Sequence, residues 1–512
     1  MSLRLLLLGL MSVLTLASAG CSAEPGATVT VNPAQTFQTM EAWEVTPKMW
    51  DFDKKNNRFN GSWLPIRDQI LTRMIEEGGI NRIRLELRSG AENPVDYWPA
   101  FRAGKLSYID FKAHFYEKIN DNDDPRVLNP KGVQFTEFDF RVENFLLPAM
   151  RIAKQLGRPM TYTLCYIDFG WTPLKGTLSH ARQPEEYAEL IAATYAHMKE
   201  KYGLVPAELE IILEPDNSDE WRGKQIGEAI MAVSKRLGEQ GIAPRIIAPS
   251  TASGGKTMRY FDDLASVPGA AQKVSVVSYH RYGSALTDDV LAQIKRRADK
   301  FGAKTAMLEF THGDIDDLFD DLTKANVSSW QKYSIVKRGA DDGTAPGNLM
   351  VANQPEQRDP QIRIKASTLA MTDIFRSVFP GAVRIGARSD QSSIDTVAFR
   401  NPDGRIVVSV KANPGVIERT LKKVQDKVDL PNLTPSPSGG QWVGITGLRA
   451  GRYEVMRANA VVGGERRCSV IVSPAMPPAV YLRSRDVATL VEQAQGTAPT
   501  TPACSRNPAD WK

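Results

Sequence analysis

The chain has 512 residues, 42% hydrophobic and 24% charged, which is ample material for a large core and more length than one domain usually needs. Its 64 basic and 59 acidic residues leave a formal charge of +5 with no long basic block. That balance argues against nucleic acid as a partner and leaves room only for a weak pull towards acidic polymers or surfaces.

Residues 1–21, MSLRLLLLGLMSVLTLASAGC, read as an export signal: a basic Arg4, a short apolar core, then small residues. The core is too short for a permanent membrane span. Two exits compete. Ala17-Ser18-Ala19 fits ordinary cleavage, whereas Ser18-Ala19-Gly20-Cys21 resembles a bacterial lipobox, with Ser18 where Leu is usual. The polar stretch that follows favours a lipidated Cys21 and a membrane tether, so the expected location is the periplasm or cell envelope, with secretion as the alternative. Residues 22–36 then read as a tether carrying a first strand, ATVTVN, able to join a later β module.

From residue 37 the texture alternates. FQTMEAW (37–43) reads as a strand, 70–79 as a helix and INRIRLEL (80–87) as a strand. Helical spacing at 140–157 precedes a strand at 159–169. The helix at 184–203 opens on Pro and acids and closes on Gly. Strands at 207–215, 244–253, 274–283 and 304–313 alternate with helices at 219–241 and 286–302, and segments at 328–336, 348–353 and 363–379 complete the set. About eight strand–helix units over 37–388 predict an α/β fold, a (β/α)8 TIM barrel. No G-x-G-x-x-G or P-loop supports an open doubly wound sheet. After 388 the chain turns to short strands and Gly turns, so 389–487 reads as a C-terminal all-β sandwich domain, and 488–512 as a loosely held Pro/Thr-rich tail. Cys165, inside TYTLCYI, reads as a buried inert thiol. Cys468 and Cys504 could pair, although spacing does not fix connectivity.

Barrel chemistry gathers where strands end. Those ends deliver Glu41, Trp43 and Glu44; Arg84, Glu86 and Arg88; Asp168 and Trp171; Glu214, Asp216 and Asn217; Tyr279, His280 and Tyr282; Glu309 and His312. Glu214 and Glu309 stand out, each a single acid closing an apolar strand, the fourth and the seventh. Strands four and seven face each other across a barrel mouth. Two opposed carboxylates suit glycoside hydrolysis, one protonating the leaving oxygen and the other attacking the anomeric carbon or activating water. The acid run at 314–322 has helical spacing and reads as a solvated face rather than a calcium loop. The five histidines (114, 180, 197, 280, 312) form no H-E-x-x-H or Cys/His cluster, so neither a metal nor a cofactor is expected.

At these residues the chain resembles the clan A glycoside hydrolases, and among them glycoside hydrolase family 30. The segments that carry the likeness are Leu213-Glu214-Pro215, Leu308-Glu309-Phe310, EEGGINRIRLELRS (76–89) and SYHRYG (278–283). The resemblance implies a barrel joined to a β-sandwich by both termini, and a retaining glycosidase acting on an oligo- or polysaccharide. It implies Glu214 as acid/base and Glu309 as nucleophile, with Arg84 and Tyr282 holding the nucleophile ionised. His280 would contact the sugar or the acid/base residue, Trp43 and Trp171 would stack on sugar faces, and Glu44 would bind hydroxyls. One position departs from the clan: Leu213 stands where Asn usually contacts the 2-hydroxyl, and Asn217 could replace it. The departure leaves two rival expectations, an inactive barrel serving as a surface glycan-binding lipoprotein, and a transglycosylase using the same pair.

Overall fold

The computed structural model describes residues 25–511 apart from 54, 284–285, 339–346, 354–359, 415–438 and 462. The leader and Cys21 lie outside the described residues.

Eight parallel strands close into a barrel. In chain order they are Ala42–Thr46, Arg82–Arg88, Thr161–Ile167, Glu208–Leu213, Arg245–Ser253, Val274–Tyr282, Lys304–Glu309 and Val327–Arg338. The eighth pairs with both the seventh and the first, so no edge remains among them. Their burial on both faces explains the near-continuous apolar runs of the sequence. Amphipathic helices such as Pro184–Tyr202, Gly223–Glu239 and Asp288–Lys300 cover the outside. Gly203 ends the first of these in a left-handed conformation (φ +68°) that a side chain would resist. Two further strands, Asn348–Asn353 and Gln361–Ile364, extend outward from the eighth.

The second module is a single curled sheet of nine strands. Its interior includes Ala27–Thr39, antiparallel to Val383–Ser389 and parallel to Gln441–Thr446, so the N-terminal segment is built into the C-terminal module. This corrects the reading of 37–43 as one strand. Residues 37–39 end the sandwich strand, and the chain changes sheets at Met40 and Glu41, whose N–H groups donate to Ala382 and Ser328 carbonyls. The barrel strand begins only at Ala42.

The all-β module also extends beyond 389–487, from Val383 to Glu492 in addition to its N-terminal strand. Asp486–Glu492 is an interior strand of the sheet, paired on both sides. Beyond it the tail is tied down by a Cys468–Cys504 disulfide. Cys165 is a free, fully buried thiol, pushed well up in pKa by burial.

The acid run at 314–322 is not simply a solvated face. Asp314 and Asp317 form a capping box, and Asp321 is fully buried, accepting from Tyr279, Arg281 and Trp330.

Candidate active site

Glu214 follows the last residue of the fourth strand and adopts a left-handed backbone (φ +48°, ψ +59°), which a non-glycine residue adopts only when its surroundings hold it there. Its N–H donates to the Ser250 carbonyl and its carbonyl accepts from Asn217 N–H, while Pro215 opens a short turn. Asp216 locks that turn by accepting from the N–H groups of Ala252 and Ser253 at 2.7 and 3.1 Å. The strand thus stops on Glu214 with its side chain turned into the mouth.

Glu309 ends the seventh strand. One oxygen of Glu214, one of Glu309 and a ring nitrogen of His280 all lie within 4.8 Å of one another, and all three side chains are buried. His280 Nδ1 pairs with Glu214 Oε1 at 2.9 Å, and Asn217 Nδ2 donates to Glu214 Oε2 at 2.7 Å. Burial alone would lower the His280 pKa, but the hydrogen bond and charge of Glu214, with the charge of Glu309, raise it above the usual histidine value.

Glu309 is held from the opposite side. Arg84 donates to its Oε2 and to the Leu308 carbonyl, the latter at 3.2 Å, and Tyr282 OH donates to its Oε1 at 2.9 Å. Burial would raise the Glu309 carboxyl, but the charges of Arg84, His280 and Lys48 and the Arg84 hydrogen bond hold it below the usual range. Arg84 also donates to Glu86 at 3.0 Å. Glu86 is itself held at about 2: burial opposes this, and Lys48, Arg84 and Arg88 outweigh it. The three groups nearest in space could in principle ligate a cation. The Arg84 guanidinium on Glu309 already supplies the positive charge there, and His280 Nδ1 is engaged by Glu214.

The structure therefore brings together Glu214, Glu309, Arg84, Tyr282, His280 and Asn217. Trp171 sits on the loop after the third strand and is 50% exposed; the same loop donates from Gly170 N–H to the Asn217 carbonyl. Lys112 lies over the Trp171 ring at 4.4 Å, and Tyr116 meets it edge-on.

Four residues expected at the mouth are elsewhere. Trp43 points out of the barrel wall into the core: it is 1% exposed, stacks on Phe375 at 4.5 Å and donates Nε1–H to the Val378 carbonyl at 2.7 Å. It is not a sugar platform. Glu44 faces inward but low in the barrel, fully buried against Arg82, which also binds Glu208. It cannot bind sugar hydroxyls from there. Glu41 lies lower still, paired with Arg245 and Lys304 at the starts of strands five and seven. All three errors share one cause: the first strand starts at Ala42, so residues placed at its end belong to its beginning. Tyr279 likewise faces the helical layer, where it meets Asp321.

Sequence reasoning named Glu86 as a mouth residue but gave it no role, and missed Lys48, which donates to Tyr333 at 2.9 Å beside it. Strand alternation with Arg84 was the signal for Glu86. Lys48 follows the first strand on an irregular segment, where no periodicity marks it.

Comparison with known proteins bears on the architecture. Residues 381–413 match the glycosyl hydrolase family 30 beta sandwich domain. No curated protein matches the chain. Among solved structures, the catalytic domain of GH30 xylanase C from Talaromyces cellulolyticus superposes with a TM-score of 0.61 at 16% identity, covering 91% of this chain and 100% of that one. A GH30 endoxylanase from Clostridium papyrosolvens C71 gives 0.58 at 14% identity over 91% and 100%. An endo-beta1,6-glucanase gives 0.56 at 14% identity over 91% and 95%. The chain has the barrel-and-sandwich fold of the family 30 glycoside hydrolases in clan A.

Proposed function

We propose that this chain is an exported retaining glycoside hydrolase that cleaves O-glycosidic bonds of an oligo- or polysaccharide by double displacement. The observation that carries the proposal is the approach of Glu214 and Glu309 to within 4.8 Å, oxygen to oxygen, at the ends of strands four and seven. A carboxyl separation of about 5 Å leaves no room for a water between carboxylate and anomeric carbon, so the second group attacks carbon directly. Export rests on the leader at 1–21, and lipidation at Cys21 would tether the enzyme to the cell envelope.

In the first step Glu214 gives a proton to the leaving oxygen while an oxygen of Glu309 bonds to the anomeric carbon. The C–O bond to the leaving group breaks, and a glycosyl ester of Glu309 results. In the second step Glu214, now a carboxylate, takes a proton from water as that water attacks the same carbon and releases Glu309. Arg84 and Tyr282 keep Glu309 ionised and aimed. His280 Nδ1, 2.9 Å from Glu214 Oε1, and Asn217 orient the acid/base carboxyl. Trp171, half-exposed, offers an aromatic surface to a sugar. Trp171→Ala raises KM for a polysaccharide roughly 2- to 10-fold, the value of one aromatic contact, and leaves kcat on small aryl glycosides unchanged. An equal loss on both substrates would remove Trp171 from the binding face.

The named activities of the structural neighbours, xylanase and endo-beta1,6-glucanase, differ in sugar and linkage, so the substrate class proposed is a glycan without further restriction. Leu213 favours a second reading. It is buried and carries no amide, so a contact usual for the clan's 2-hydroxyl is missing, as a glycan-binding barrel without turnover could allow.

A panel of aryl glycosides and natural polysaccharides separates the two. Wild type hydrolyses at least one of them. Glu214→Gln loses roughly 10²- to 10⁴-fold on substrates with poor leaving groups and far less in the first step on dinitrophenyl glycosides, which need no acid. Wild type as silent as Glu214→Gln on the whole panel, yet retaining polysaccharide affinity, establishes the binding reading. Product analysis at high acceptor concentration identifies transglycosylation.

A further inference from the structure

Beyond the mouth, three carboxylates converge with one histidine, His180 against Glu92, as their nearest basic partner. Glu92 follows the turn after the second barrel strand, Asp121 sits in the long excursion before the third, and Glu186 lies in the first turn of the helix Pro184–Tyr202. One oxygen from each lies within 4.8 Å of the other two. We propose that Glu92, Asp121 and Glu186 bind a calcium ion that ties these three segments together.

The unpartnered oxygens of these carboxylates argue for a ligand. Each carboxylate has one oxygen engaged by the protein and one without any partner. Glu92 Oε2 meets His180 Nε2 at 2.7 Å, while Oε1 is buried and unpartnered. Asp121 Oδ2 accepts from the Asn129 N–H and from Asn122 Nδ2, while Oδ1 is unpartnered. Glu186 Oε1 lies 3.4 Å from Asn120 Nδ2, while Oε2 is unpartnered. Glu92 and Glu186 are only 2% and 4% exposed, so water does not readily make up the deficit. No lysine or arginine pairs with any of the three among the described residues.

Burial, with the charges of Glu92 and Asp121, pushes the Glu186 carboxyl up, and the neighbouring Glu189 is pushed to about 7 by burial, Asp121 and Glu186. The Asn120 side-chain oxygen is also buried and unpartnered.

The donor set selects the metal class. All the free donors are oxygens, and no thiol or free imidazole nitrogen is at hand, which disfavours zinc and copper. Three oxygens that all lie within 4.8 Å of one another can share one ion at bonds of about 2.3–2.6 Å, the calcium range, and three protein carboxylates suit calcium better than magnesium, which usually keeps several waters. The backbone is prepared for such a clamp. Ile119 N–H donates to the Glu92 carbonyl at 2.9 Å and Gln134 N–H to the Ala91 carbonyl at 2.7 Å, so both ends of the excursion are already fastened beside the site.

The test uses the full chain stripped with EDTA and titrated with calcium chloride at pH 7.5. One calcium binds with a Kd on the order of 10 µM or tighter, and the melting temperature rises by about 3–8 °C at saturation and falls again on adding EDTA. Glu186→Gln and Asp121→Asn each weaken binding at least about tenfold and flatten the thermal response, whereas Glu309→Gln leaves both unchanged. Three results would overturn the proposal: no saturable binding up to 1 mM calcium with an unmoved melting temperature; calcium affinity lost in Glu309→Gln but kept in both cluster variants; or a stripped protein that gains stability on mild acidification and none from calcium. The last would mean that the acids neutralise themselves with protons.

Discussion

Glu309→Gln abolishes turnover of every glycoside that the wild type cleaves, lowering kcat by at least about 10⁴-fold while the protein still binds glycan. The amide is the same size as the carboxylate but is a poor nucleophile and carries no charge to meet the oxocarbenium-like transition state. Its partners remain, with Tyr282 and Arg84 still in place, so the loss is chemical. A companion variant, Glu309→Gly, opens a space at the nucleophile position. Azide entering there attacks the anomeric carbon from the side Glu309 used, and the glycosyl azide has the opposite anomeric configuration to the substrate. In Glu214→Gly, by contrast, Glu309 reacts first and azide follows, so the glycosyl azide keeps the substrate's configuration. Proton NMR of the two products reads the result. Were Glu309→Gln to retain activity, or the two azides to have swapped configurations, the assigned roles would fail.

The second large effect is on stability. Arg84→Met destabilises the fold by about 3–5 kcal/mol at pH 7, because it leaves buried carboxylates without their cation. Arg84 is fully buried and bonds Glu309, Glu86 and the Leu308 carbonyl together. Methionine fills similar volume, so the effect is electrostatic rather than a cavity. The pH dependence distinguishes the two causes. Glu309 and Glu86 both titrate below the ordinary glutamate value of 4.5 in the folded chain, Glu86 at about 2. Carboxyls with depressed folded values stabilise the protein above the unfolded value, and that contribution fades as pH falls through the folded one. The gap between wild type and Arg84→Met is therefore widest at neutral pH and narrows from about pH 4.5 towards 2. Urea unfolding at pH 7 and pH 3 measures it. A gap that stays constant with pH would show that packing, not charge, is lost.

These two predictions rest on residues that were legible before any coordinates. Glu214 and Glu309 each close a run of apolar residues, and a buried strand that stops on an acid is visible in one dimension. His280 and Tyr282 close the sixth strand with the same clarity, and alternation puts Arg84, inside the second strand, on one face with Glu86. The alternation of strand and helix was enough to predict a closed parallel barrel, because right-handed crossovers leave few other arrangements.

What the sequence by itself determined was the set of strands and the two acids that end them, since hydrophobic periodicity and chain breaks such as Pro215 are local properties. Only the tertiary structure decided depth and direction. It started the first strand at Ala42, which sent Trp43 into the core and Glu44 into an ionic layer low in the barrel. It placed Glu92, Asp121 and Glu186 together from three separate segments. A shift of one residue in a strand reverses which face each side chain meets, and an encounter between distant loops leaves no period in the sequence, so neither could be read along the chain.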